Sequence, residues 1–117
     1  MKHFGLVGFD LKHSFSVSFF EDKFKRDGIL NTSYKNFELS EISDFSDLLQ
    51  NNSFSGLNVT IPYKESIIPF LDSLSSEAKS IGAVNTIEFK EGKLIGHNTD
   101  HIGFHNSIKP FLENTME

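Results

Sequence analysis

The sequence predicts an α/β fold: a three-layer domain with a mostly parallel β-sheet, one antiparallel hairpin and helices on both faces. Three observations lead there. Stretches with period-two apolar alternation take turns along the chain with stretches whose apolar residues recur at i, i+3 and i+7. The segment 56–65, Gly-Leu-Asn-Val-Thr-Ile-Pro-Tyr-Lys-Glu, sets Leu57, Val59 and Ile61 against Asn58 and Thr60, so it begins as a strand with its polar pair on one face. Ala83 to Lys90 alternates strongly and resumes over Lys93 to His97 after Glu91-Gly92, which is the pattern of a hairpin.

The elements follow in order. Phe4 to Gly8 reads as a buried first strand, with Phe9 to His13 as a loop. Between Phe15 and Leu30, Val17, Phe20 and Phe24 mark an amphipathic helix that Gly28 stops. After a loop over 31–33, Tyr34 to Leu39 form a second strand with Tyr34, Asn36 and Glu38 opposing Lys35, Phe37 and Leu39. Ser40 reads as the N-cap of a helix whose inner face is Ile42, Phe45, Leu48 and Leu49, broken by Asn51-Asn52-Ser53. In the 56–65 segment, Pro62 ends the strand and suits the first turn of a helix, with Lys64 just inside it. Ile67, Ile68, Phe70 and Leu71 are that helix's apolar residues, and Pro69 splits it. Ser75 and Ser76 start a further short helix that ends near Gly82. A last helix begins around Thr99 or Asp100 and carries Phe104, Ile108, Phe111 and Leu112, with Pro110 bending or ending it.

Composition narrows the function. The 117 residues suffice for one domain with a core, and thirteen Phe supply it. Eleven Lys and Arg against sixteen Asp and Glu give a formal net charge of -5, and no basic cluster with interleaved aromatics occurs, which argues against a nucleic-acid partner. The absence of cysteine excludes disulfides, thiolate metal sites and cysteine nucleophiles. The opening residues 1–8 are too short and broken for a signal peptide, and no apolar run reaches membrane-spanning length, so a soluble, cytoplasmic protein is expected.

Four polar clusters fall at element boundaries. Ser14 and Ser16, at the first helix's N-terminus, offer hydroxyls and backbone N–H groups to a carboxylate or phosphate; as an alternative, either is simply the N-cap. Asn58, Thr60 and Lys64 bring an amide, a hydroxyl and an ammonium to one strand terminus, the end where open α/β sheets bind small ligands. The alternative is a buried strand with Lys64 in solvent. Asn85 is a lone amide at a strand start, suited to a ligand or to capping a turn. Asp100 is either a site carboxylate or a first-turn acid placed for the helix dipole. Jointly, Lys64 and Asp100 suit proton transfer at a hydroxyl or ketone oxygen, and the surrounding amides and hydroxyls suit a polyhydroxylated ring. His101 and His105 share a helical face at i, i+4, but with no Glu of a zinc-protease motif and no third ligand they read as solvent-facing, so no metal is expected. No glycine-rich dinucleotide or triphosphate loop follows any predicted strand.

In this order, the segments Gly8-Phe9-Asp10-Leu11-Lys12-His13-Ser14-Phe15-Ser16, Gly56 to Glu65, Gly82-Ala83-Val84-Asn85-Thr86 and Asn98-Thr99-Asp100 resemble the substrate-binding N-terminal domain of shikimate dehydrogenase. The resemblance implies reversible, NADP-dependent reduction of 3-dehydroshikimate to shikimate in aromatic amino acid biosynthesis. It implies that Ser14 and Ser16 hold the substrate carboxylate, that Asn58, Thr60, Asn85 and Asp100 contact ring hydroxyls, and that Lys64 is the acid/base residue paired with Asp100. Three positions depart from the family pattern: Val17 and Asp10 stand where or near where the family has Pro, and His101 where it has Gly. On this reading residues 1–117 are the shikimate-binding catalytic domain of a longer enzyme, and the last helix, from about 100, begins the interdomain linker. NADP then belongs to a second, Rossmann-type domain, and this part alone is inactive. The partners expected are the small-molecule substrate and, as one option, a second copy in a homodimer, with neither nucleic acid nor membrane. A quinate/shikimate dehydrogenase and a non-catalytic polyol-binding module are the alternatives.

Overall fold

The computed structural model describes residues 2–12 and 16–99, the side chain of Ser16 excepted. Along the chain run β1 (Lys2–Gly8), α1 (Ser16–Arg26), β2 (Thr32–Glu38), α2 (Asp44–Asn51) and β3 (Gly56–Val59). A 3-10 turn at Ile68–Phe70, β4 (Ser73–Leu74), α3 (Ser76–Ile81), β5 (Thr86–Lys90) and β6 (Lys93–His97) follow. One six-stranded sheet results, in the order β2-β1-β3-β5-β6-β4. The β1–β2, β1–β3 and β4–β6 pairs are parallel, while β3–β5 and the hairpin β5–β6 are antiparallel. The predicted α/β class holds, and so does the hairpin.

Apolar burial explains the three layers. On one face, Val17, Phe20 and Phe24 of α1 pack with Phe4, Leu6, Leu11, Tyr34 and Ile29. On the other, Phe45, Leu48 and Leu49 of α2 and Ala78 of α3 pack on Val7, Leu57, Val59 and Ile87. The helical stripes read from the sequence are therefore the buried ones. Because α1 leads from β1 to one neighbour and α2 leads from β2 to β3 on the other side, the chain diverges at the carboxyl ends of β1 and β3. That is the switch point at which an α/β sheet opens a crevice.

Helix ends follow local chemistry. The Ile29 amide donates to Phe24 O at 2.8 Å and the Gly28 amide to Lys25 O at 3.2 Å, a Schellman closure of α1. Ser75 Oγ accepts from Ala78 N at 3.2 Å and Gly82 C-caps α3, as read from the sequence. Glu91 (φ 52°) and Gly92 (φ 78°) form the two-residue turn of the hairpin, whose positive φ at both positions matches the strand twist.

Three expectations are corrected. Ser40 does not cap α2; the helix starts at Asp44, whose carboxylate accepts from Glu41 N at 3.3 Å, and two tight turns lead in from Glu41 and Ile42. No α-helix starts at Pro62, where the Ile61–Pro62 bond is cis. Only Ile67 N reaches back four residues, to Tyr63 O; Ile68 N bonds Glu65 O instead, because the Lys64 carbonyl accepts from Val84 N across the fold. Pro69, without an N–H, then lies within the 3-10 turn rather than splitting a helix. The apolar residues predicted for that helix, Ile67, Ile68, Phe70 and Leu71, still face the core. Third, the strand expected from Ala83 begins at Thr86, because residues 83–85 are drawn into loop contacts. The two-residue β4 was not foreseen; it is carried by pairing with β6 rather than by a pattern of its own.

Candidate functional site

The topology delivers Asn58, Thr60, Lys64 and Asn85 to one edge of the sheet. Asn58 lies in β3, and Thr60 and Lys64 follow the strand's carboxyl end. Since β5 runs antiparallel to β3, its first residues lie at that same end, and Asn58 faces Thr86 directly. β6 returns there again and releases Asn98 and Thr99. Strand direction alone thus gathers three sequence-distant clusters at the crevice.

Hydrogen bonds hold them in place. Thr60 N donates to Val7 O at 2.9 Å, continuing the β1–β3 ladder one residue past the strand. A Cβ on Gly8 would come within 2.7 Å of Thr60 Cγ2 and 2.6 Å of Leu11 Cδ2, so only glycine lets the two strand ends approach this closely. The 82–85 loop is fastened on every side. Val84 N donates to Lys64 O at 2.7 Å, Val59 N to Asn85 O at 2.8 Å, Asn85 N to His97 O at 3.0 Å, and the Asn98 amide to Ala83 O at 3.0 Å. Loops this firmly tied hold functional side chains with little ordering cost on ligand binding.

The side chains divide by role. The Asn58 amide, 6% exposed, donates to the Tyr34 hydroxyl at 2.7 Å and accepts from Thr86 Oγ1 at 3.4 Å. Asn85 Oδ1 accepts from Thr86 Oγ1 at 3.1 Å, from Thr99 N at 3.3 Å and from Thr99 Oγ1 at 3.2 Å. Three donors on one amide oxygen fix which way the Asn85 amide faces, with its N–H end turned from Thr86 and Thr99. Thr60 and Lys64 are half-buried.

Among the first-cluster residues, Ser16 opens α1, and Ser14 lies outside the described residues. The loop leading to them is anchored by Leu11 N, which donates to Glu38 Oε2 at 3.2 Å. Asp100, the last helix, and His101 and His105 also lie outside the described residues. Tyr34, Thr86 and Asn98 were not singled out in the sequence. Tyr34 and Thr86 are polar residues inside strands, which alone reads as solvent-facing, and Asn98 follows β6, outside any strand pattern.

In the core layer on the other face of the sheet from Tyr34, Tyr63 is buried and its hydroxyl donates to Leu39 O. Burial, helped by the Asp44 and Glu41 carboxylates, raises its phenol above the ordinary tyrosine value.

The family model for the shikimate dehydrogenase substrate binding domain matches residues 6–87. A shikimate dehydrogenase (NADP(+)) of Staphylococcus epidermidis is 41% identical over 112 residues, which is 94% of this chain and 41% of that protein. The crystal structure of shikimate dehydrogenase 1 from Peptoclostridium difficile superposes with a TM-score of 0.82 at 45% identity, covering 94% of this chain and 42% of that one. The ligand-free 5-ketofructose reductase of a Gluconobacter strain superposes at 0.81 with 31% identity, over 93% and 40%. The chain thus spans about two fifths of the length of the curated relatives it matches. With its sheet order, its crevice and 82 consecutive residues inside the family model (6–87, inclusive), the chain belongs to the shikimate dehydrogenase family, by its substrate binding domain.

Proposed function

We propose that this chain is the substrate-binding half of an NADP-dependent shikimate dehydrogenase, which interconverts 3-dehydroshikimate and shikimate in aromatic amino acid biosynthesis. One observation carries the reading most: the Lys64 turn and the Asn85 loop are bonded directly to each other at the carboxyl edge, through Val84 N and Lys64 O at 2.7 Å. The backbone segments that carry the Lys64 ammonium and the Asn85 amide are thereby tied together. Relatives are named for shikimate and a structural neighbour for 5-ketofructose, and a crevice of amides and hydroxyls suits small oxygen-rich substrates of that kind.

On this reading Ser14 and Ser16 take the carboxylate, and Asn58, Thr60, Asn85 and Asp100 take ring oxygens, with the Asn58 amide also bonded to Tyr34 and Thr86. Lys64, paired with Asp100, gives its proton to the carbonyl oxygen in reduction and takes it back in oxidation. The residues present do not fit NADP: among the described residues no strand runs into a glycine-rich turn at a helix N-terminus, and β1 is followed instead by Phe9-Asp10-Leu11. The hydride is therefore assigned to the rest of the enzyme, and this chain binds, orients and moves the proton. The domain assignment of residues 1–117, with the last helix as the start of a linker, is part of the same proposal. So are a cytoplasmic location and self-association as a homodimer. No helix among the described residues is long and apolar enough to cross a membrane.

Nicotinamide absorbance in the full-length enzyme tests the activity. Shikimate-dependent NADP reduction supports the reading. Faster turnover of quinate points to the quinate/shikimate subclass, and binding without turnover points to a polyol-binding module.

A further inference from the structure

Buried polar side chains in a sheet persist when they satisfy one another, and here a string of them crosses the domain. It starts at Tyr34 in β2, 3% exposed, whose ring stacks on Phe20 of α1 with centroids 4.4 Å apart and planes at 25°. Its hydroxyl reaches across β1 to take the Asn58 amide of β3 at 2.7 Å. Asn58 Oδ1 and Asn85 Oδ1 share the single proton of Thr86 Oγ1, at 3.4 and 3.1 Å. Thr86 is itself 3% exposed. At the far end a backbone N–H, that of Thr99, faces the Asn85 amide at 3.3 Å; since it only donates, the atom it meets is the oxygen.

We propose that Tyr34 is a positioning residue for ligand capture, whose hydroxyl sets the Asn58 amide and, through Thr86, the orientation in which Asn85 meets the ligand. The inference rests on the reading of the crevice as a polyol site. The phenol suits the task because its ring is held by the stack on Phe20, which aims the hydroxyl. An Asn58 amide released from Tyr34 changes how the Thr86 proton is shared, and Asn85 is the other acceptor of that proton.

Tyr34→Phe in the full-length enzyme tests this, since it keeps the ring and deletes one oxygen. The expected result is a KM for shikimate raised roughly three- to tenfold, the size of one buried neutral hydrogen bond, with an unchanged KM for NADP. The side-chain amide resonances of Asn58 and Asn85 both move. Tyr63→Phe is the comparison: it deletes the other buried phenol, bonded to Leu39 O on the opposite face, and leaves the shikimate KM and both resonances in place. An unchanged shikimate KM, unmoved Asn85 resonances, or an equal rise in both KM values in Tyr34→Phe overturns the proposal. A wild-type enzyme that neither binds nor turns over shikimate fails the functional reading instead, and the Asn85 resonances then decide the role of Tyr34 alone.

Discussion

The Lys64 carbonyl accepts the Val84 amide at 2.7 Å, so a backbone bond helps fix the turn that carries the proposed acid/base side chain. Side-chain chemistry and loop geometry are therefore separable at this position.

Lys64→Ala follows directly. The backbone bond survives, so substrate still finds the crevice, while proton transfer loses its donor. Turnover is expected to fall about 10²- to 10⁴-fold with a smaller change in KM, measured by steady-state kinetics in the full-length enzyme. An unchanged kcat removes Lys64 from that role.

Asn85→Asp separates the two ends of the amide. The oxygen that accepts from Thr86 and Thr99 is kept, but the N–H end becomes a second acceptor. A KM for shikimate raised about tenfold, with a melting temperature near that of the wild type, is the expected outcome. A lost fold with unchanged substrate affinity would make Asn85 a loop cap only.

Gly8→Ala places a methyl against Leu11 and Thr60 where no room exists. It should destabilise by about 1 to 3 kcal/mol and weaken shikimate binding by shifting Thr60. Chemical denaturation and a binding isotherm on the same variant read both effects.

Tyr63→Phe removes the bond to Leu39 O and costs about 1 kcal/mol near neutral pH. Because burial first, then Asp44 and Glu41, raise the native phenol, its contribution is fully present below the ordinary tyrosine value of about 10 and is lost as pH rises through the raised native value. The gap between wild type and variant should therefore narrow in melts above pH 10. A constant gap from pH 7 to 11 would show that Tyr63 does not titrate differently on unfolding.

Much of the fold was legible because local chemistry and burial agree. The stripes Val17-Phe20-Phe24 and Phe45-Leu48-Leu49 are the faces that pack, and Gly28, Ser75, Gly82 and Glu91-Gly92 act where turn and cap chemistry put them. Two of the misreadings share a cause: at Lys64 and at 83–85, backbone groups bond across the fold, and a single-residue pattern carries no sign of a distant partner. At Ser40 the helix start is instead displaced by the local turns from Glu41 and Ile42. Thr86 and Tyr34 escaped notice for a related reason: a polar residue in a strand reads as solvent-facing until β3, beside Thr86 and one strand beyond Tyr34, is known to offer Asn58.

The central claim is that the carboxyl edge of β3, with the starts of the loops at Lys64, Asn85 and Thr99, is a shikimate site. Titrating shikimate into the isotope-labelled protein and following its backbone amides tests it most directly. The account predicts saturable shifts at Thr60, Lys64, Asn85 and Thr99, with His3, Ser33 and Gly92 at the opposite edge unmoved. No response at the first four at millimolar shikimate, or shifts confined to the opposite edge, would contradict it.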